Sequence, residues 1–131
     1  MKRQFDLLRK TMPLIHNITN YVTVNDVANI LLACGGSPIM SDEVEDVEDI
    51  TSICNGLNIN IGTLHKSSIE GMLRAGKKAN NLHHPILLDP VGAGASKFRT
   101  ETARFNSCIN RRAVSVRNLL APAPTGSNKI G

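Results

Sequence analysis

Tryptophan is absent from the 131 residues, tyrosine occurs once and phenylalanine three times. Single-stranded nucleic acid is usually held on aromatic platforms where bases stack, so a net charge of +4 does not by itself make this chain a nucleic-acid binder. No apolar run reaches the roughly 18 residues that a membrane-spanning helix needs, and no basic-then-apolar leader with a cleavage site opens the chain. The expectation is therefore a cytoplasmic protein with no membrane partner. Cysteine is scarce as well. Cys34, Cys54 and Cys108 are odd in number, lack metal-type spacing, and two of them fall in apolar helical patterns, which reads as buried free thiols and not as disulfides or zinc ligands.

What the chain does contain is enough apolar matter for one domain with its own core: 41% hydrophobic residues against 20% charged. The charge is unevenly spread. Residues 1–96 carry 8 Lys/Arg and 10 Asp/Glu, whereas residues 97–131 carry 7 and 1, so the basic excess is entirely C-terminal. Salt-sensitive binding to nucleic acid or an anionic surface would have to come from that segment.

Hydrophobic periodicity divides the chain into repeated strand-to-helix units. Arg3 to Thr11 reads as a short amphipathic helix stopped ahead of Pro13, and Leu14 to Thr19 as a strand. From Thr23 to Cys34, the residues Val24, Val27, Ile30, Leu31 and Cys34 share a helical face, with Gly35-Gly36 as the stop. Ser37 to Ser41 is a second strand. Val44, Val47, Ile50 and Ile53 then recur every three residues, while six acids between Asp42 and Asp49 give the expected helix an acidic, solvated first turn matched to the helix dipole. A third unit has Leu57 to Thr63 as strand and Ser67 to Leu82 as helix, capped by Ser67 or Ser68, with Ile69, Met72, Leu73 and Ala79 toward the core. The fourth pairs Pro85 to Leu88 with a helix beginning near Thr100. Such repetition predicts an α/β fold with a parallel sheet flanked by helices, and right-handed connections open all the strand ends to one edge.

At that edge stand Asn20, Met40, Gly62 and Asp89. Asp89 is delivered by an apolar strand into the glycine-rich turn Pro90-Val91-Gly92-Ala93-Gly94-Ala95, where backbone N–H groups can approach anionic oxygens with no Cβ in the way. Two readings fit. The four groups are parts of a small-molecule pocket with a phosphate or metal site at Asp89, or each merely ends its strand, as Asp-Pro does on its own.

Longer motifs carry a resemblance. Pro13-Leu14-Ile15-His16-Asn17-Ile18-Thr19-Asn20-Tyr21-Val22, Gly36-Ser37-Pro38-Ile39-Met40, Asn60-Ile61-Gly62-Thr63-Leu64, Leu88 to Ala95 and Phe98-Arg99-Thr100, in that order, resemble the hydroxyethylthiazole kinase family of thiamine biosynthesis and salvage. The resemblance covers roughly residues 12–104. It implies a three-layer ribokinase-like fold, transfer of the γ-phosphate of ATP to the alcohol of 4-methyl-5-(2-hydroxyethyl)thiazole, a requirement for Mg²⁺, and homotrimers whose active sites lie between subunits.

Position by position, it implies that Met40 contacts the thiazole and that Asn20, Val22 and Gly62 line the same substrate pocket. Asp89 would help to hold magnesium through water, and Gly92 and Gly94 would admit the phosphate-bearing end of the nucleotide. His16 and Asn17 belong to the signature either as strand supports or as substrate contacts.

The family's members are longer, and their second half supplies the nucleotide grip, the adenine pocket and the catalytic anion hole. The expectation is thus residues 1–104 as the N-terminal half of such a domain, truncated before its catalytic residues. Residues 105–131 would form a divergent basic tail, rich in Ala, Pro, Gly and Ser from Leu119 onward and poorly ordered. Such a chain would have little or no kinase activity alone. The alternative is a non-catalytic fragment that binds thiazole or pairs with a homologous subunit. A doubly wound sheet cut in mid-order also leaves an unpaired edge, which predicts marginal stability or self-association.

Overall fold

The computed structural model describes residues 1–109 and 113–115. In chain order the elements are α1 (Lys2–Thr11), β1 (Leu14–Ile18), α2 (Val24–Cys34), β2 (Ser37–Met40), α3 (Val47–Ile53), β3 (Gly56–Asn60), α4 (Lys66–Asn81), β4 (Ile86–Asp89), α5 (Lys97–Ile109) and β5 (Ala113–Ser115). The strands form one sheet in the order β2-β1-β3-β4-β5, every neighbouring pair parallel. The α/β expectation holds.

The order explains the layers. Passing from β1 to β2 moves one way along the sheet, and passing from β2 through β3 and β4 to β5 moves the other way. With right-handed crossovers, α2 is placed on one face and α3, α4 and α5 on the opposite face. The reversal leaves a crevice between the carboxyl ends of β1 and β3, where open α/β sheets bind ligands.

The core lies on the three-helix face. Ile18, Leu57, Ile59, Ile86 and Leu88 from the strands meet Val47, Met72, Ala75, Ala79 and Ala103 from the helices, all buried. Each large side chain there contributes roughly 1.5–3 kcal/mol by leaving water. Small residues on α4 keep that helix close to its neighbours. The α2 face is different: it carries a groove of about 490 Å³ lined by Ile15, Val27, Ile30, Leu31, Leu87 and Val114 among others, and no residue of α2 is buried. Ile30, on the apolar face of that helix, is 60% exposed.

Several boundaries differ from the sequence reading. α3 starts at Val47, so Val44 precedes the helix and the acids from Asp42 to Asp46 lie in the connection ahead of it; Ile53 points to solvent. Two of these acids accept hydrogen bonds, Asp42 from the Tyr21 hydroxyl and Asp46 from Ser41. α4 begins one residue earlier than expected, and Ser68 closes its first turn by bonding the backbone N–H and C=O of His65. α5 begins at Lys97 and not near Thr100, because the Ser96 hydroxyl accepts the N–H of Arg99 and caps the turn. The helix continues to Ile109, so the expected boundary at residue 104 falls inside it, and β5 lies beyond.

Cys34 is half-buried and Cys54 buried, both with free thiols, and burial pushes the Cys54 thiol pKa up. The side chain of Cys108 and the segment from Leu119 onward lie outside the described residues. Among the described residues, no helix is long and apolar enough to cross a membrane.

Candidate functional site

The carboxyl ends of β1, β3 and β4 are joined by a polar chain. Asn20 Nδ2 donates to Asn60 Oδ1 at 3.0 Å, and Asn60 Nδ2 donates to Asp89 Oδ2 at 2.7 Å. Asn20 Oδ1 accepts the N–H groups of Val22 and Thr23 and the Thr23 hydroxyl, so the same amide caps the approach to α2. Gly62 sits directly on this chain. Its N–H donates to Asn60 Oδ1 at 2.8 Å, and a Cβ there would come within 2.8 Å of that oxygen and 3.0 Å of Asn20. Only a residue without a side chain fits without displacing an amide.

Arg99 binds the other side of the rim. Its guanidinium donates to the carbonyls of Ile61 at 2.8 Å, Gly62 at 3.0 Å and Val91 at 3.2 Å, tying the exit of β3 to the turn after β4. Its stem lies where a Gly92 side chain would be, 2.8 Å from that ideal Cβ.

A small cleft of about 90 Å³ opens beside this network and is lined by Asn17, Thr19, Tyr21, Val24, Met40, Ser41 and Asp42. Parallel register places Asn17 opposite Met40, and Thr19 follows two residues on, so the strand alternation turns it to the same side. Tyr21 closes the mouth: its hydroxyl donates to Asp42 at 2.9 Å and its ring stacks on His65 with centroids 6.0 Å apart. The bond to the Asp42 carboxylate, with that carboxylate's charge, pushes the tyrosine pKa up.

His16 supports the cleft from the opposite side of β1. It is fully buried, with Nε2 2.9 Å from the Ser41 carbonyl and Nδ1 2.9 Å from Thr51 Oγ1. Burial lowers its pKa, against the raising effects of the Ser41 carbonyl and Asp46, which favours the neutral ring. Because a carbonyl only accepts, the neutral ring carries its proton on Nε2 and Nδ1 is the acceptor. Thr51 also donates to the Val47 carbonyl at 2.6 Å, so its one proton is divided between two acceptors.

At the β4 end, Asp89 is half-buried and Oδ2 is held by Asn60. Gly92 and Gly94 adopt φ of 74° and 92°, values that L side chains rarely take. The N–H groups of Val91, Ala93, Gly94 and Ala95 already donate to Asp89, Pro90, Thr100 and Gly92 within the turn. The turn is thus shaped by its own hydrogen bonds, while the side-chain face of Gly94 is open to an approaching group. Among the described residues no three His, Cys, Asp or Glu side chains gather to hold a metal.

The structure thus brings Asn20, Gly62 and Asp89 into one bonded network, and sets Met40 in the adjoining cleft. The Val22 side chain lies outside both. It is 87% exposed, and only the backbone N–H of Val22 engages, on Asn20. The motifs include Asn60, Arg99 and Thr19, but the motif reading gives none of them a role. Asn58 and Asn60 did leave a trace, since amides alternating with apolar residues inside a buried parallel strand need partners. Among the described residues, the larger groove on the α2 face is lined mainly by apolar side chains, with Asn17 and Asn58 as its polar ones and no titratable group.

Three comparisons bear on this geometry. The family model "HK: Hydroxyethylthiazole kinase family" matches residues 5–116, beyond the stretch carried by the motifs alone. A hydroxyethylthiazole kinase of Clostridium acetobutylicum is 68% identical over 103 residues, 79% of this chain and 38% of the relative, and one from Ruminiclostridium cellulolyticum is 61% identical over 109 residues, 83% and 39%. The structure of a hydroxyethylthiazole kinase from Pyrococcus horikoshii superposes with a TM-score of 0.81 at 42% identity, covering 84% of this chain and 44% of that one. The chain therefore spans about two fifths of the length of these relatives.

Proposed function

The chain belongs to the hydroxyethylthiazole kinase family, and from that premise we propose that it carries the acceptor side of a site transferring the γ-phosphate of ATP to the alcohol of 4-methyl-5-(2-hydroxyethyl)thiazole. The observation that supports this reading is the pairing of the Met40 cleft with the Asn20–Asn60–Asp89 network on one rim. A thioether beside apolar wall suits a flat sulfur heterocycle. Met40 contacts the ring; Asn20 and Gly62 shape the wall between the cleft and Asp89, and Val22 contributes through its backbone.

Phosphoryl transfer asks mainly for placement and charge neutralisation. Mg²⁺ would supply that neutralisation when bound, and Asp89 is the residue that would help to hold it. Gly92 and Gly94 give the polyphosphate a surface it can approach, with Arg99 fixing the turn beneath. Residues 1–104 serve as the family's N-terminal part. The catalytic groups and the adenine pocket are not among the rim residues, and the 131-residue chain alone is inactive. Trimeric assembly and a cytoplasmic location complete the proposal.

The test is incubation of the purified chain with ATP, Mg²⁺ and the thiazole alcohol, followed by mass spectrometry of the thiazole. No phosphorylated product is expected from the chain alone, and its formation would refute the half-site reading. The open groove on the α2 face favours a second reading, a non-catalytic subunit-pairing role. Co-purification with a full-length homologue would distinguish it.

A further inference from the structure

We propose that Thr19 is the hydrogen-bonding residue of the Met40 cleft, donating its hydroxyl proton to the ring nitrogen of the bound thiazole; this rests on the reading of that cleft as the thiazole-alcohol site. The inference comes from counting the polar groups that line it. Asn17 gives its amide protons to the carbonyls of Ile15 at 2.8 Å and Ile39 at 3.5 Å, and its oxygen accepts from Asn58 at 3.1 Å. Tyr21 donates to Asp42 at 2.9 Å and Ser41 to Asp46 at 2.5 Å. Val24 and Met40 are apolar. Among the described residues, Thr19 Oγ1 alone of the lining hydroxyls and amides has no partner, although the residue is only 9% exposed.

A buried hydroxyl left unpaired destabilises the folded state, and such groups concentrate where a ligand completes them. The ring nitrogen is the matching atom. It accepts only, and Thr19 can donate. The alcohol arm must meanwhile point along the rim toward Asp89, whose strand stands two spacings from that of Thr19, about 10 Å. An anchored nitrogen fixes the ring's rotation and hence the direction of the arm.

The test is calorimetric titration of the chain and its variants with the thiazole alcohol, together with thermal melts without ligand. Thr19→Val should weaken binding roughly tenfold, and Thr19→Ser should stay within about twofold of the wild type. The unliganded Thr19→Val chain should melt at or above the wild-type temperature, since it loses an unpaired buried hydroxyl and keeps its shape. With the thiophene counterpart, which lacks the ring nitrogen, wild type and Thr19→Val should bind alike. Wild-type binding left unchanged by Thr19→Val would overturn the proposal alone, as would a lowered melting temperature in that variant. A tenfold difference persisting with the thiophene would overturn the assignment to nitrogen. Failure of the wild-type chain to bind the thiazole alcohol would overturn the functional reading and this proposal with it.

Discussion

The two faces of the sheet are built from the same strands and yet fare differently. On the α3, α4 and α5 face, Ile59 and Leu57 are closed off from water by helices packed edge to edge. On the α2 face, Leu87 stands 38% exposed one strand away, and among the described residues the groove beside it is walled by a single helix. Parallel strands are stable when both faces are covered, so the difference teaches that the topological reversal, and not strand composition, decides which apolar residues are dry. Among the described elements, only the passage from β1 to β2 runs in the direction that places a helix on the second face.

Truncating one residue on each face should expose the contrast most strongly. Ile59→Ala is expected to lower the free energy of unfolding by about 2–5 kcal/mol through lost burial and a cavity, whereas Leu87→Ala should cost under about 1 kcal/mol. Urea denaturation of both variants measures this, and equal losses would break the comparison. The open face should also make the protein associate. Sedimentation velocity is expected to show concentration-dependent oligomers, and Leu87→Lys should shift them toward monomer. A strictly monomeric wild type with a sharp melt would contradict that expectation.

The smallest effect concerns pH. His16 binds its proton less readily folded than unfolded, where the ordinary value is 6.5. Between those two values the unfolded chain holds more protons, so stability rises with pH there, is fully present above 6.5, and is lost as pH falls through the folded value. His16→Gln should flatten this dependence of chemical denaturation midpoints on pH. An unchanged profile would show that other groups govern the acid limb.

Much of this was legible in the sequence because local patterns obey local rules. The strand-to-helix alternation, the stop at Gly35 with its φ of 99°, and the delivery of Asp89 into a glycine turn all depend on residues close in the chain. What lay beyond reach depends on strand order. Placing Asn60 between Asn20 and Asp89 requires β3 to sit between β1 and β4, and periodicity does not give neighbours. The openness around Ile30 was hidden for the same reason, since an amphipathic face announces that it wants cover and not whether cover is there. Of the six acids, Glu48 and Asp49 do stand in the first turn of α3, whereas Asp42 and Asp46 precede it and accept hydrogen bonds from Tyr21 and Ser41.

The central claim, that the rim at the ends of β1 and β2 holds the thiazole, is tested most directly by titrating isotope-labelled chain with the thiazole alcohol and following backbone amide resonances. Saturable shifts concentrated at Thr19, Tyr21, Met40, Ser41 and Asp42 are expected. Shifts centred instead on the α2-face groove around Val27, Leu31 and Leu87, or none at all, would contradict it.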